Sequence, residues 1–282
     1  MGNSVLDKVD GLLIDLDGVV YISNQAIPGA AEAITRLKSK NIPMRFVTNT
    51  TTMSQNSLHK KMTGMGLPIE RHEIISAVQA AVLFLRDPVA HSLLWDRKIE
   101  HPPSCYLVLT DDCKKDFAEF QQTDKNPDYI IIGDLETSRP QLAVGSSIDT
   151  QTWNYELLNK IFNLLISGSK MIALHKGKFW QTEQGLTLDI GVFVAGLEYV
   201  TGQTATIIGK PSKTFFELAL RDLGVPASRA AMIGDDLDND IAGAQAVGMK
   251  AILVKTGKYR EELVKKSKVK PDVIAEDIAT II

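Results

Sequence analysis

The sequence predicts an α/β protein: a doubly wound parallel-sheet (Rossmann-like) core carrying an inserted α/β cap domain. Three observations point there. Short apolar runs alternate with amphipathic stretches of helical length, as strands of a parallel sheet alternate with crossover helices. Several of those runs finish on acids, a hydroxyl or a lysine, and open parallel sheets bind ligands outside the carboxyl ends of their strands. The chain has 282 residues, more than the usual single domain, and its texture changes after Asp87-Pro88, so a core with a large insertion is the natural arrangement.

The elements follow in order. Gly11-Leu12-Leu13-Ile14 is the first strand. Gly29 to Lys40 reads as a helix started by Pro28, with Ala30, Ala33, Ile34 and Leu37 on one face. Met44-Arg45-Phe46-Val47 is the second strand, ending at Thr48-Asn49. Helices are predicted over Ser54 to Gly64, stopped by glycine, and over Ser76 to Arg86, broken by Asp87-Pro88. In the insertion, Tyr106 to Leu109, Tyr129 to Ile132, Lys170 to Leu174 and Phe179-Trp180 are strand-like, and Tyr155 to Leu165 is helical. After a helix ending near Thr201-Gly202 the core pattern returns. Thr206-Ile207-Ile208 leads to Gly209-Lys210-Pro211, Phe215 to Leu223 is helical, Ala230 to Ile233 leads to Gly234-Asp235-Asp236, and Ala251 to Val254 is the last clear strand. The expected division is 1–79 with 205–282 as the core and 80–204 as the cap.

Composition narrows the function. Hydrophobic content of 44%, charged content of 23% and a net charge of -3 are ordinary for a globular protein and give no footprint for nucleic acid or an anionic membrane. The two cysteines, Cys105 and Cys113, have no zinc-site spacing and read as free thiols. The amino terminus has no apolar signal core and no run is long enough to span a bilayer. A cytoplasmic location is expected.

Chemistry concentrates at the strand ends. In extended chain Asp15 and Asp17 project to one face while Leu16 packs on the other, and Gly18 permits a sharp departure. Neighbouring carboxylates separate in pKa unless a cation neutralises one. The pair suits an ionised nucleophile beside a metal and a second carboxyl that gives and takes a proton. An isolated Asp-x-Asp-Gly is otherwise a turn or a helix cap. Asp235, Asp236 and Asp240 add hard oxygen ligands of the kind magnesium takes together with a phosphate oxygen; a calcium loop is excluded by the missing glycine and terminal glutamate. Thr48 offers a hydroxyl, with backbone N–H groups after it that can cradle phosphate, and Lys210 offers a point charge. Gly209-Lys210-Pro211 lacks Walker A spacing. His175 and Trp180 are candidate substrate contacts in the cap, with packing as the plainer alternative.

Together, Asp15-Leu16-Asp17-Gly18-Val19, Thr48-Asn49, Gly209-Lys210-Pro211 and Gly234-Asp235-Asp236 followed by Asp240 resemble the four motifs of haloacid-dehalogenase-like phosphatases. The insertion between the second and third motifs is similar to the NagD-type subgroup (subclass IIA), and further likeness lies in Gly196-Leu197-Glu198-Tyr199 and Lys255-Thr256-Gly257-Lys258-Tyr259. The resemblance implies a Mg2+-dependent phosphatase acting on a small phosphorylated metabolite: a phosphate monoester, a phosphoamide or pyrophosphate. It implies that Asp15 forms an aspartyl-phosphate and that Asp17 protonates the leaving group and then activates water. Thr48, Asn49 and Lys210 would bind the phosphoryl group. Asp15, Asp235 and the Asp17 carbonyl would hold magnesium, with Asp236 and Asp240 in support. A homodimer through the cap is implied as well. Arg139 to Thr150 departs from the family pattern and reads as surface loop. The alternatives are a catalytically idle member that binds a ligand or partner, and a sugar phosphomutase, which the cap's position disfavours.

Overall fold

The computed structural model describes residues 9–87, 102–135, 152–182 and 185–281, the side chains of 180–182 excepted. Arg139 to Thr150 and the side chain of Trp180 lie outside the described residues. The described strands are β1 (Gly11–Asp15), β2 (Tyr21–Ile22), β3 (Gln25–Ala26), β4 (Met44–Thr48), β5 (Ile74–Ser76), β6 (Ser104–Val108), β7 (Gln121–Gln122), β8 (Tyr129–Ile132), β9 (Lys170–Ala173), β10 (Phe179–Thr182), β11 (Gly185–Leu188), β12 (Thr206–Ile207), β13 (Ala230–Gly234), β14 (Lys250–Val254) and β15 (Val273–Ala275).

The chain divides into two compact units. One contains the described residues up to Thr48, Gln55–Ser76 and those from Lys210 onward; the other contains Asn49–Ser54 and Ala77–Gly209. The first unit holds a six-stranded sheet in the order β15-β14-β13-β1-β4-β5, parallel throughout. β1 sits inside it between β13 and β4. Every residue of β1 is buried, as expected of an apolar strand covered on both faces.

Flanking helices form where the sequence sets their limits. Ala30–Ser39 buries Ala30, Ala33, Ile34 and Leu37 on one face. Lys213–Leu223 starts at Ser212, whose Oγ accepts from the Phe215 N–H, and stops at Gly224 in the left-handed conformation. It buries Phe215, Phe216, Leu218 and Leu220, each contributing about 1.5–3 kcal/mol relative to exposure.

The second unit holds a parallel sheet in the order β12-β9-β8-β6-β7 and the antiparallel hairpin β10–β11. Helix Tyr155–Ile166, capped by Asn154 Oδ1, packs Ile161 and Leu165 with Ile130, Ile132 and Val194. Here the sequence expectation needs correcting. Thr206–Ile207 was expected to rejoin the core sheet, but β12 pairs with β9 in the second unit's sheet. Two further hydrogen bonds, Ile208 N–H to Ala173 O and Gly209 N–H to Leu174 O, extend that pairing. Lys210 is therefore the first residue of the returning chain to belong to the first unit.

Candidate active site

The site is built at the carboxyl ends of β1, β4 and β13. Asp15 is the last residue of β1 and Thr48 the last of β4, and Asp15 pairs in register with Val47, one residue before Thr48. Asp235 follows β13 directly. Asp15, Thr48, Lys210, Asp235 and Asp240 are all buried, although buried ionisable groups are rare without partners. Lys210 is the partner for two of them. Its Nζ lies 2.6 Å from Asp15 Oδ1 and 2.7 Å from Asp240 Oδ1.

Asp240 is fully engaged. Its second oxygen accepts from the Asp236 N–H at 3.2 Å. Asp235 is half engaged: Oδ2 accepts from the Lys258 N–H at 2.7 Å, while Oδ1 is buried without a hydrogen-bond partner. One oxygen each from Asp15, Asp235 and Asp240 lie within 4.8 Å of one another. Asp236 caps the six-residue π-helical turn Leu237–Ala242, its Oδ1 accepting from the Asp238 and Asn239 N–H groups. Its Oδ2 takes the Asn239 amide at 2.8 Å and Lys258 Nζ at 3.0 Å. Asp17 is exposed, unlike Asp15.

Electrostatics follow from this arrangement. Burial pushes the Asp15 carboxyl up to about 8, with Lys210 pulling it down and Asp240 and Asp235 pushing it further up. Burial likewise raises Asp235 to about 6 against the Lys258 N–H. Asp236 moves the other way, to about 2, because bonds from Asn239 and Lys258 outweigh its burial. Burial opposes the Lys210 ammonium, but Asp15 and Asp240 outweigh it and raise its pKa. A charged Lys210 and a protonated Asp15 pull in opposite directions. The two short N–O contacts place the Lys210 ammonium between Asp15 and Asp240, ready to pair with Asp15 once that carboxyl ionises. With Asp15, Asp235 and Asp240 all ionised, one ammonium would leave an excess of negative charge.

The sequence reading brought Asp15, Thr48, Lys210, Asp235 and Asp240 to these strand ends, and all five belong to the first unit. Asn49 belongs to the second unit, one residue along the chain from Thr48. His175, also in the second unit, follows β9. Its Nε2 lies 3.5 Å from Asp134 Oδ2 and its Nδ1 3.6 Å from Asp189 Oδ2, while Nδ1 accepts from the Gly177 N–H at 3.2 Å. Thr51 Oγ1 donates to Asp134. Burial opposes protonation of His175, but Asp134 and Asp189 outweigh it and raise its pKa. Asp134 and Asp189 were missed from sequence. Asp134 closes a buried apolar run as the core acids do, and that signal was available.

Buried acids gathered around a lysine at the ends of parallel strands are the arrangement the haloacid-dehalogenase resemblance implies, and comparison with known proteins shows that class of hydrolase. A model described as haloacid dehalogenase-like hydrolase matches residues 12–122 and a HAD-hydrolase-like model matches 207–281. Human haloacid dehalogenase-like hydrolase domain-containing protein 2 is 39% identical over 88% of this chain and 85% of its own. Human phospholysine phosphohistidine inorganic pyrophosphate phosphatase is 33% identical over 97% of this chain and 93% of its own. Among solved structures, a 4-nitrophenylphosphatase from Thermotoga maritima superposes with a TM-score of 0.79 at 26% identity, covering 98% of this chain and 97% of that one. NagD from E. coli K-12 shares the fold, with a TM-score of 0.79 at 22% identity over 98% and 100% of the two chains. The chain belongs to the haloacid dehalogenase-like hydrolase family, in its phosphatase branch.

No helix among the described residues is long and apolar enough to cross a membrane.

Proposed function

We propose that this phosphatase is magnesium-dependent and hydrolyses a small phosphorylated metabolite through an aspartyl-phosphate on Asp15. One observation carries the reading: Lys210 is held between Asp15 and Asp240, beside an Asp235 oxygen that is buried without a partner. The donor set fits a hard divalent cation, offering only oxygen ligands, surplus negative charge and one carboxylate oxygen with no other use. Asp15, Asp235 and the Asp17 main-chain carbonyl are the residues that would hold it. When bound, magnesium neutralises charge on the phosphoryl oxygens and favours the ionised form of Asp15.

The chain's own groups then divide the work. The Asp15 carboxylate attacks phosphorus and the bond to the leaving oxygen or nitrogen breaks. Exposed Asp17 gives the leaving group its proton, then takes one from the water that attacks the phosphoenzyme, releasing phosphate and restoring Asp15. Lys210, the Thr48 hydroxyl and the Asn49 N–H hold the phosphoryl oxygens through a transition state that asks mainly for positioning and charge neutralisation. Phosphoamides and pyrophosphate join phosphate monoesters as candidate substrates because one relative is named for them.

The test is phosphate release across sugar phosphates, phosphoamino acids, pyridoxal phosphate, nucleotides and pyrophosphate, with and without magnesium. Acid quenching should trap a hydroxylamine-sensitive phosphoenzyme that Asp15→Asn does not form. No release from any member would favour a ligand-binding relative, and isomerised sugar phosphate without free phosphate would favour a mutase.

A further inference from the structure

The run Lys255-Thr256-Gly257-Lys258-Tyr259 follows β14, and its backbone closes onto the site. Thr256 Oγ1 donates to Gly18 O, and the Lys258 N–H donates to Asp235 Oδ2 at 2.7 Å. Gly18 and Gly257, far apart in sequence, face each other across the Asp235 carboxylate, and both hold left-handed backbone, with φ of 89° and 57°. A Cβ on Gly257 would collide with Asp235 Oδ2 and lie 2.7 Å from Gly18 Cα and 2.9 Å from Asp235 Cγ. A Cβ on Gly18 would collide with the same oxygen and lie 2.7 Å from Asp235 Cγ. The carboxylate thus lies in a slot between two bare stretches of backbone. One oxygen is tied to the loop, and the other is buried without a hydrogen-bond partner.

We infer that Thr256-Gly257-Lys258 is a positioning clasp that sets the enzyme's affinity for its divalent cation, by fixing the rotation of Asp235 so that Oδ1 is the ligating oxygen. The inference rests on the magnesium-dependent reading above. No residue of the clasp need touch cation or substrate. Its effect passes through Asp235, as partners of metal ligands commonly act. A cavity of about 440 Å³ lies beside the loop, lined by Asp235, Lys258, Tyr259, Arg260 and Leu263 among others. A side chain at 257 must displace either the loop, and the Lys258 N–H with it, or the Asp235 carboxylate.

Isothermal titration of Mg2+ into the full chain tests the clasp directly, without substrate. Gly257→Ala should weaken binding about 10- to 100-fold, and should raise the magnesium concentration needed for half-maximal hydrolysis more than it lowers kcat. Gly224→Ala is the control for backbone strain, since Gly224 has φ of 76° with nothing within 4 Å of an added Cβ. It should lose thermal stability and keep wild-type magnesium affinity. Thr256→Val removes the tie to Gly18 without adding bulk, should weaken binding in the same direction, and serves if Gly257→Ala does not fold. Wild-type affinity in the folded clasp variant, or equal weakening in Gly224→Ala, would overturn the inference and leave the phosphatase reading standing. A wild-type protein that neither binds magnesium nor releases phosphate would overturn both.

Discussion

Replacing Asp15 by asparagine separates chemistry from stability at one position. The amide keeps the shape and an acceptor for Lys210, which also retains Asp240 at 2.7 Å, but it carries no charge and cannot attack phosphorus. Burial raises the Asp15 pKa from 3.8 to about 8, with the pull of Lys210 already included. The folded value lies above the unfolded one, so the protonated carboxyl favours folding. That contribution is present in full below pH 3.8 and is lost as pH rises through about 8. At about 1.4 kcal/mol per pH unit between those values, the metal-free wild type gives up on the order of 4 kcal/mol by neutral pH. The asparagine amide does not titrate. Urea unfolding in chelator should find the variant no more stable than wild type near pH 4 and on the order of 4 kcal/mol more stable near pH 7. Turnover of an aryl phosphate with magnesium should be lost in the same preparation. A stability difference that does not change with pH would refute the burial reasoning, and retained magnesium-dependent turnover would refute the nucleophile.

Further outcomes follow from the same charges. Lys210→Met leaves Asp15 and Asp240 buried without their cation, and denaturant unfolding near neutral pH should show a loss of about 3–5 kcal/mol that shrinks in acid. Magnesium should stabilise the protein against heat, by about 2.7 kcal/mol at one hundred times its Kd. The gain should be larger at high pH, because Asp15 and Asp235 titrate upward, at about 8 and about 6, and must ionise to bind; a shift independent of pH would contradict this. In the second unit, NMR titration of His175 should give a pKa above 6.5. Its contribution to stability is full below 6.5 and declines as pH rises through the folded value, and His175→Gln should remove that dependence.

How far the sequence carried this depended on the kind of information each feature needs. β1 and the helix Ala30–Ser39 were legible because period and burial are local: five consecutive buried residues in one, a single apolar face in the other. β5 and β15 were not. Ile74-Ile75-Ser76 runs straight into a helix and shares its apolar texture, and Val273–Ala275 is a three-residue strand at the sheet's edge, only partly buried. Thr206–Ile207 was seen as a strand but assigned to the wrong sheet. A two-residue strand takes its partner from register, here Thr206 with Ile172 and Ile207 with Ala173, and nothing within the run selects that neighbour. The clasp was visible only as a family likeness, because its meaning lies in where Gly257 meets Gly18.

The acids after β13 show why spacing alone could not divide their roles. By spacing alone Asp235, Asp236 and Asp240 are equivalent oxygen donors or helix caps, and only the family resemblance sets Asp235 apart as the metal ligand with the other two in support. In the fold the capping reading is right for Asp236, whose carboxylate serves Asp238, Asn239 and Lys258. The turn it caps then brings Asp240 back over the strand end. The approach is close enough that a Cβ on Gly234 would lie 2.6 Å from Asp240 Cγ, which explains a glycine as the last residue of a buried strand. Asp240 in turn spends one oxygen on Lys210 and the other on the Asp236 N–H. Its part is to anchor the lysine, which in the proposed mechanism would leave Asp15 and Asp235 to the cation. The spacing from Gly234 to Asp240 thus encodes one cap, one lysine anchor and one carboxylate with a buried oxygen that no hydrogen bond takes, and that oxygen is the one the proposed mechanism would give to the cation.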